Sequence, residues 1–251
     1  MDTTPKIIGQ PRLSRLERMT RYGYYTEENV LTKDHLVRLR VAMDRLMAEG
    51  EAEYRKPHQD YYPNIIEFDD AFAELLDNPT ILAGMEEIIG ADVQLYANEV
   101  LVSKGTDTAG SWHRDKMSIG RHCPNMFVKV CLYIDEVGIE RGPTGIVPTS
   151  NLDIYQGEAF YPHKIDFLAQ PGSMLAFGAA SMHRAGYHAK AETDRPVIFL
   201  VFIPWWIKQA GYYTGNRCTR LIEGASPLRR QLLGIQLRDG VSMDLFSTDD
   251  K

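Results

Sequence analysis

The sequence predicts a mainly β protein with flanking helices: a jelly-roll core of short antiparallel strands, with N-terminal helices packed outside it. Three observations carry this. Apolar residues recur at helical spacing before residue 93, and the period changes to two from Val93 onward. The strand candidates beyond that point are short and separated by long excursions rich in Gly, Pro, Asp and Ser, which suits an antiparallel barrel or jelly roll. The composition, 251 residues with 44% hydrophobic and 25% charged, is that of an ordinary globular chain able to bury one sizeable core. We therefore read residues 1–251 as one domain: 1–92 mostly helical, 93–204 the jelly-roll core and 205–251 a C-terminal extension.

The elements follow in order. Leu36, Leu39, Met43, Leu46 and Met47 mark an amphipathic helix, with Thr32 placed to cap its start and Gly50 to stop it. Residues 51–64 are polar and aromatic with two prolines, and read as a loop. Phe68 to Ile89 offers two short helices divided at Asn78-Pro79, with Leu75, Ile81, Leu82, Met85, Ile88 and Ile89 as their core face. From Val93, strict alternation puts Gln94, Tyr96, Asn98, Val100 and Val102 on one face, and Leu95, Ala97, Glu99, Leu101 and Ser103 on the other. Further strands are expected at Phe127–Ile134, Gly145–Val147, Ser173–Phe177 and Val197–Ile203.

Charge and cysteine usage narrow the function classes. Lys plus Arg total 28 against 34 Asp plus Glu, a net charge of −6 that opposes a sequence-independent grip on phosphate backbones, so no nucleic-acid partner is expected. The 3 cysteines, Cys123, Cys131 and Cys218, are too few for a disulfide scaffold and fit a reducing compartment, with the cytoplasm as the expected location. The most apolar run, Val197 to Ile207, contains Pro204 and falls short of the roughly 20 residues that span a bilayer, so no membrane partner is expected. A small-molecule ligand and a monomer are the default expectations.

Chemistry enters at Trp112-His113-Arg114-Asp115. In extended chain, residues i and i+2 point to one side, so His113 and Asp115 can offer an imidazole nitrogen and a carboxylate oxygen to one ion. A second imidazole would complete the facial set that suits non-haem Fe(II) with open positions for dioxygen. A His-x-Asp also occurs at His58-Gln59-Asp60, but it lies in the polar segment before any strand, and His58 reads as a loop or lid residue. His183, after the turn and strand Pro171 to Phe177, is the best third ligand. Arg195 begins the last apolar strand. A guanidinium there invites a carboxylate such as that of a keto acid; the rival reading pairs it with Asp194 or Glu192 at a strand end.

Taken in order, these motifs resemble the phytanoyl-CoA dioxygenase family of Fe(II)- and 2-oxoglutarate-dependent oxygenases. The likeness runs from Gly23-Tyr24-Tyr25 through Asn78-Pro79, Trp112 to Asp115, Leu132 to Asp135, Gly142 to Asn151, Pro171-Gly172-Ser173, His183 with Gly186, and Arg195, as far as Pro204. It implies a double-stranded β-helix of the cupin type in which His113, Asp115 and His183 bind Fe(II) and Arg195 holds the distal carboxylate of 2-oxoglutarate. It further implies cosubstrate contacts from Gln94, Asn98 or Lys129. Trp112, Met117 and Arg121 are candidates to shape the substrate pocket, beside His122.

The reaction so implied uses O2 to convert 2-oxoglutarate to succinate and carbon dioxide while an unactivated C–H bond of a small organic metabolite is oxidised. Hydroxylation leads, with desaturation and cyclisation open. Halogenating relatives replace the carboxylate ligand by a small residue; Asp115 keeps it. Two departures from the family pattern stand beside the site. Pro148-Thr149-Ser150-Asn151 replaces Pro-Gly-Ser-His, and His188 replaces Asn and competes with His183 as a ligand, although Gly186 and the spacing to Arg195 favour His183. The alternative class is a jelly roll that binds a ligand without turnover, or a cupin-like protein using another metal.

Overall fold

Seven strands form the larger of two antiparallel sheets and three form the smaller. The computed structural model describes residues 13–50, 52–105, 109–115, 125–152, 163–189, 193–209, 219–235 and 237–238. In chain order the strands are β1 Tyr24–Glu27, β2 Tyr54–Lys56, β3 Gln59–Pro63, β4 Val93–Ser103, β5 Val128–Tyr133, β6 Thr144–Ile146, β7 Ile165–Phe167, β8 Ser173–Gly178, β9 His183–Ala185 and β10 Arg195–Pro204. The larger sheet runs β1-β8-β5-β10-β4-β3-β2 and the smaller β7-β6-β9. The smaller sheet lies over the larger, which is the double-stranded β-helix expected from the sequence.

The helices cover the outer face of the large sheet. Helix α1 (Arg15–Tyr22), which the sequence reading left out, is opened by a reciprocal Ser14–Glu17 capping box and closed by Gly23 at φ 81°. A Cβ at Gly23 would lie 2.4 Å from Ser181 Oγ, so glycine is required there both for its torsion and for its space. Helix α2 (Lys33–Glu49) starts where expected, with Thr32 accepting from His35 N–H, and buries Leu36, Leu39, Met43 and Leu46. Asn78 caps α3 (Pro79–Ile88), with Pro79 in the first turn where its missing N–H goes unneeded. Between them, residues 65–77 wind into three short helical turns rather than a single helix.

Alternation then divides the large sheet between two cores. Val128, Val130 and Leu132 of β5, Met174 and Ala176 of β8, and Ile198, Leu200 and Phe202 of β10 pack with the helices. Cys131, Tyr133, Leu175, Phe177 and Val197, from the same strands, face inward with Ile146 of the small sheet. Each strand is thus apolar on both faces, which is why these segments read as continuous hydrophobic runs.

Two sequence expectations fail here for identifiable reasons. Residues 51–64 are not simply a loop: β2 and β3 form a hairpin that extends the large sheet along β4, with Tyr54 and Tyr61 stacked at 5.1 Å. The strict alternation along β4 is also broken. Ala97 pairs with Val201 and Leu95 with Phe202, so Tyr96 is an extra residue and the strand bulges. An inserted residue reverses which parity faces inward. Val93 and Leu95 therefore join Val100 and Val102 in the helix-side core, and Glu99, Leu101 and Ser103 face the interior beyond the bulge. Among the described residues, no helix is long and apolar enough to cross a membrane.

Candidate metal centre

A main-chain bridge sets the site. His113 and His183 exchange both N–H···O bonds at 2.9 Å, forming an antiparallel pair that puts the two imidazoles side by side, ring centroids 4.3 Å apart. Asp115, two residues on, is fixed by its N–H donating to Ala179 O at 3.2 Å. The Asp115 Oδ1 then lies 4.0 Å from His113 Nε2 and 3.7 Å from His183 Nε2. Ligand atoms of the three residues all fall within 4.8 Å of one another, and this is the only such cluster among the described residues.

Tautomers follow from the partners. His113 Nδ1 lies 3.0 Å from Ser111 O and His183 Nδ1 lies 3.0 Å from Ser181 O. A carbonyl can only accept, so each Nδ1 carries the proton and each Nε2 offers its lone pair inward, as metal ligation requires. Burial pushes the His183 imidazole down to about 4, with His113 and Lys129 adding to the effect against Asp115, so the ring is neutral near pH 7. Burial alone would raise the Asp115 carboxyl. The Lys129 ammonium, whose Nζ is 3.1 Å from Asp115 Oδ2, and His183 outweigh it and hold the carboxyl below its usual range. Two imidazoles and one carboxylate form a donor set that fits a divalent first-row metal.

Beside this centre is a cavity of about 190 Å³, lined by His113, His183, Glu99, Leu101, Lys129, Thr144, Phe177, Phe199 and Arg195. Arg195 is 3% exposed and donates from Nη2 to Ser103 Oγ at 2.8 Å, while its Nε has no partner among the described residues. No carboxylate of the described residues lies within ion-pairing distance of it. Asp194 offers its backbone carbonyl to Arg141 instead, and Glu192 lies outside the described residues. A buried guanidinium with an unused donor, facing a cavity that also holds Thr144, fits a carboxylate ligand; burial lowers its pKa from the ordinary guanidinium value.

The remaining candidate residues stand elsewhere. Gln94 lies at the other end of β4, its Nε2 within 3.1, 2.7 and 2.6 Å of the carbonyls of Pro204, Trp205 and Ile207, so its amide is spent closing that end of the barrel. Asn98 points to the helix side, where its Oδ1 accepts from Ile66 N–H at 3.0 Å. The bulge at Tyr96 puts the two on opposite faces: Gln94 lies opposite Val93 and Leu95, on the inner side but at the far end of β4, and Asn98 turns to the helices. Asn98→Ala is accordingly expected to lower stability by about 1–3 kcal/mol, by leaving a buried N–H unpaired, with no change in the KM for 2-oxoglutarate; denaturant unfolding and steady-state kinetics check both.

Trp112 packs outside the small sheet, 4.5 Å under the Arg184 guanidinium and against Gly145. Met117, Arg121 and His122 lie outside the described residues. His188 is no rival to His183: its nitrogens sit 3.4 Å from Glu140 O and 2.6 Å from Thr193 O, outside the ligand cluster. Asn151, at the other departure, reaches Thr20 O at 3.0 Å and ties the segment to α1. His58 sits in the β2–β3 turn, its carbonyl accepting from Lys104 N–H. Reasoning from sequence missed Glu99 and Ser103 as interior residues, although their shared face with Leu101 was a usable signal, and it missed Gln59 and Thr144, for which there was none.

A family model described as phytanoyl-CoA dioxygenase matches residues 19–191. No curated protein sequence matches the chain. Among solved structures, the non-heme alpha ketoglutarate dependent epimerase SnoN from nogalamycin biosynthesis is similar at 22% identity and TM-score 0.65, over 79% of this chain and 89% of its own. HygX from Streptomyces hygroscopicus, with nickel, 2-oxoglutarate and hygromycin B bound, is similar at 15% identity and TM-score 0.65, over 78% and 88%. AviO1 from Streptomyces viridochromogenes Tue57 gives 20% identity and TM-score 0.61, over 80% and 100%.

Proposed function

The chain belongs to the phytanoyl-CoA dioxygenase family of 2-oxoglutarate-dependent non-haem iron enzymes, and from that premise we propose that it oxidises an unactivated C–H bond of a small organic metabolite, with succinate and carbon dioxide as co-products. One observation supports this above the others. The His113, Asp115 and His183 donor atoms lie within 4.8 Å of one another, and both imidazoles line the same cavity as a buried guanidinium that has no carboxylate partner among the described residues.

In this reading His113 Nε2, Asp115 Oδ1 and His183 Nε2 would hold the iron, and Arg195, with Ser103 and Thr144 beside it, would receive the distal carboxylate of 2-oxoglutarate. A bound ferrous ion supplies the activation of dioxygen, chemistry that no side chain can perform. The protein orients the reactants: the two Nδ1–H···O=C bonds fix the imidazole planes, and the bridge between His113 and His183 fixes their spacing. Phe177, Phe199 and Leu101 give the cavity apolar walls that limit water. Asp115 occupies the position that a small residue leaves vacant in halogenating relatives, which favours hydroxylation, desaturation or cyclisation.

The SnoN structure with nogalamycin RO and the HygX structure with hygromycin B each hold a small molecule beside alpha ketoglutarate and a metal, and this supports a metabolite as substrate. The test is direct. Anaerobic addition of Fe(II) and 2-oxoglutarate to the wild-type protein should give a visible charge-transfer band, and candidate metabolites screened under air should include ones that stimulate succinate release. Absence of the band would sink the oxygenase reading in favour of a ligand-binding jelly roll.

A further inference from the structure

We propose that Lys129 is the built-in counter-cation of the metal-free centre: its ammonium holds one oxygen of Asp115, competes with an arriving ion, and so sets how tightly the centre takes metal. The inference rests on the triad being a metal centre, and it gives Lys129 a role directed at a ligand rather than at the cosubstrate.

The geometry is specific. Lys129 Nζ is 3.1 Å from Asp115 Oδ2, the oxygen turned away from the imidazoles, while Oδ1 faces His113 Nε2 and His183 Nε2 at 4.0 and 3.7 Å. Both side chains are largely shielded, at 17% and 19% exposure, so water screens the pair little. Lys129 reaches the cavity because β5 turns it inward between Val128 and Val130, and the Phe199 ring lies 5.2 Å from its ammonium. Another carboxylate, Glu99, lines this cavity, but its Oε2 accepts from Tyr61 at 2.6 Å, and among the described residues Asp115 is the one within ion-pairing distance of Lys129.

Charge then decides the consequence. Asp115 and Lys129 compensate one another at 3.1 Å, and the ligands can stay assembled without an ion. Removing the ammonium would leave a shielded carboxylate uncompensated, an expensive state that a divalent ion relieves. With Lys129 present, the ion must instead share Asp115 with a cation already bound to it. The ammonium also occupies Oδ2, which would leave Asp115 to meet a metal through Oδ1 alone.

The experiment titrates the metal-free protein with Co(II), without 2-oxoglutarate, following visible absorption and thermal unfolding. Lys129→Met is expected to bind Co(II) about 10- to 100-fold more tightly than wild type, the span over which groups behind the ligands tune affinity. It should also unfold at a lower temperature than wild type when metal-free, and gain more from the ion. Lys129→Arg, which keeps the charge, should stay within about threefold of wild type. Lys129→Gln drops the charge but keeps a donor for Oδ2, and carries the Lys129→Met expectation should that variant not fold. A residue that merely fills space would lower stability with and without metal and leave affinity unimproved. Unchanged or weaker Co(II) binding in the neutral variants, with wild-type binding abolished by His113→Ala, overturns this inference alone. No Co(II) binding by wild type overturns it together with the metal-centre reading.

Discussion

His113→Ala abolishes the charge-transfer band and lowers kcat/KM by at least about a thousandfold, equivalent to ~4 kcal/mol of barrier, because loss of one of three ligands removes the catalytic ion rather than weakening one contact. The fold should hardly notice. The His113 side chain is 53% exposed and its backbone bridge to His183 does not depend on the imidazole, so the melting temperature should move by no more than about 2 °C. Band amplitude, succinate release and thermal unfolding measure the three quantities. Asp115→Ala is a poorer diagnostic, since it strands the Lys129 ammonium in a shielded site. Because the ligands act as a unit, the double variant His113→Ala/His183→Ala should be scarcely worse than either single one. A band retained in His113→Ala would place the metal elsewhere.

Arg195→Met raises the Kd for 2-oxoglutarate by at least about 30-fold, taking ~2 kcal/mol as the lower end for removing one partner of a buried charge pair. The same substitution should leave the cosubstrate-free protein as stable as wild type or more so. Arg195 is 3% exposed with Ser103 Oγ as its one described side-chain partner, and a lone buried guanidinium costs folding energy that an apolar side chain of similar length does not. Arg195→Lys keeps the charge but lacks the planar fork, and should fall between the two. Equilibrium binding of 2-oxoglutarate and denaturant titration read the opposed signs. Lower stability together with unchanged affinity would make Arg195 a structural residue.

Much of the site was legible because its parts carry local grammar. The His-x-Asp pair, the second histidine after a turn and strand, and the arginine opening the last apolar strand each follow from strand periodicity, and all of them line or adjoin one cavity. The errors have separate physical origins. Period-two reasoning assumes an unbroken ladder, and the single extra residue at Tyr96 puts Gln94 and Asn98 on opposite faces of β4: Asn98 turns to the helices, Gln94 closes the far end, and Glu99 lines the cavity while Ser103 meets Arg195. The β2–β3 hairpin was hidden by its prolines and polar residues, because an edge hairpin is held by pairing with β4 rather than by a buried apolar face. Helix α1 escaped notice because it has few apolar positions, and its capping box is its main signal. The Lys129–Asp115 pair joins residues far apart in sequence, a distance that no local pattern encodes.

The link between His113 and His183 is made of main chain, and that matters beyond the chemistry of one substrate. Side chains around the mouth can be exchanged without altering the spacing of the imidazoles, since the peptide groups that set it belong to no particular residue type. Evolution or an engineer can therefore resurface the rim for a new molecule while the reactive core stays in register, and library design is best aimed at the loops, leaving this short ladder untouched.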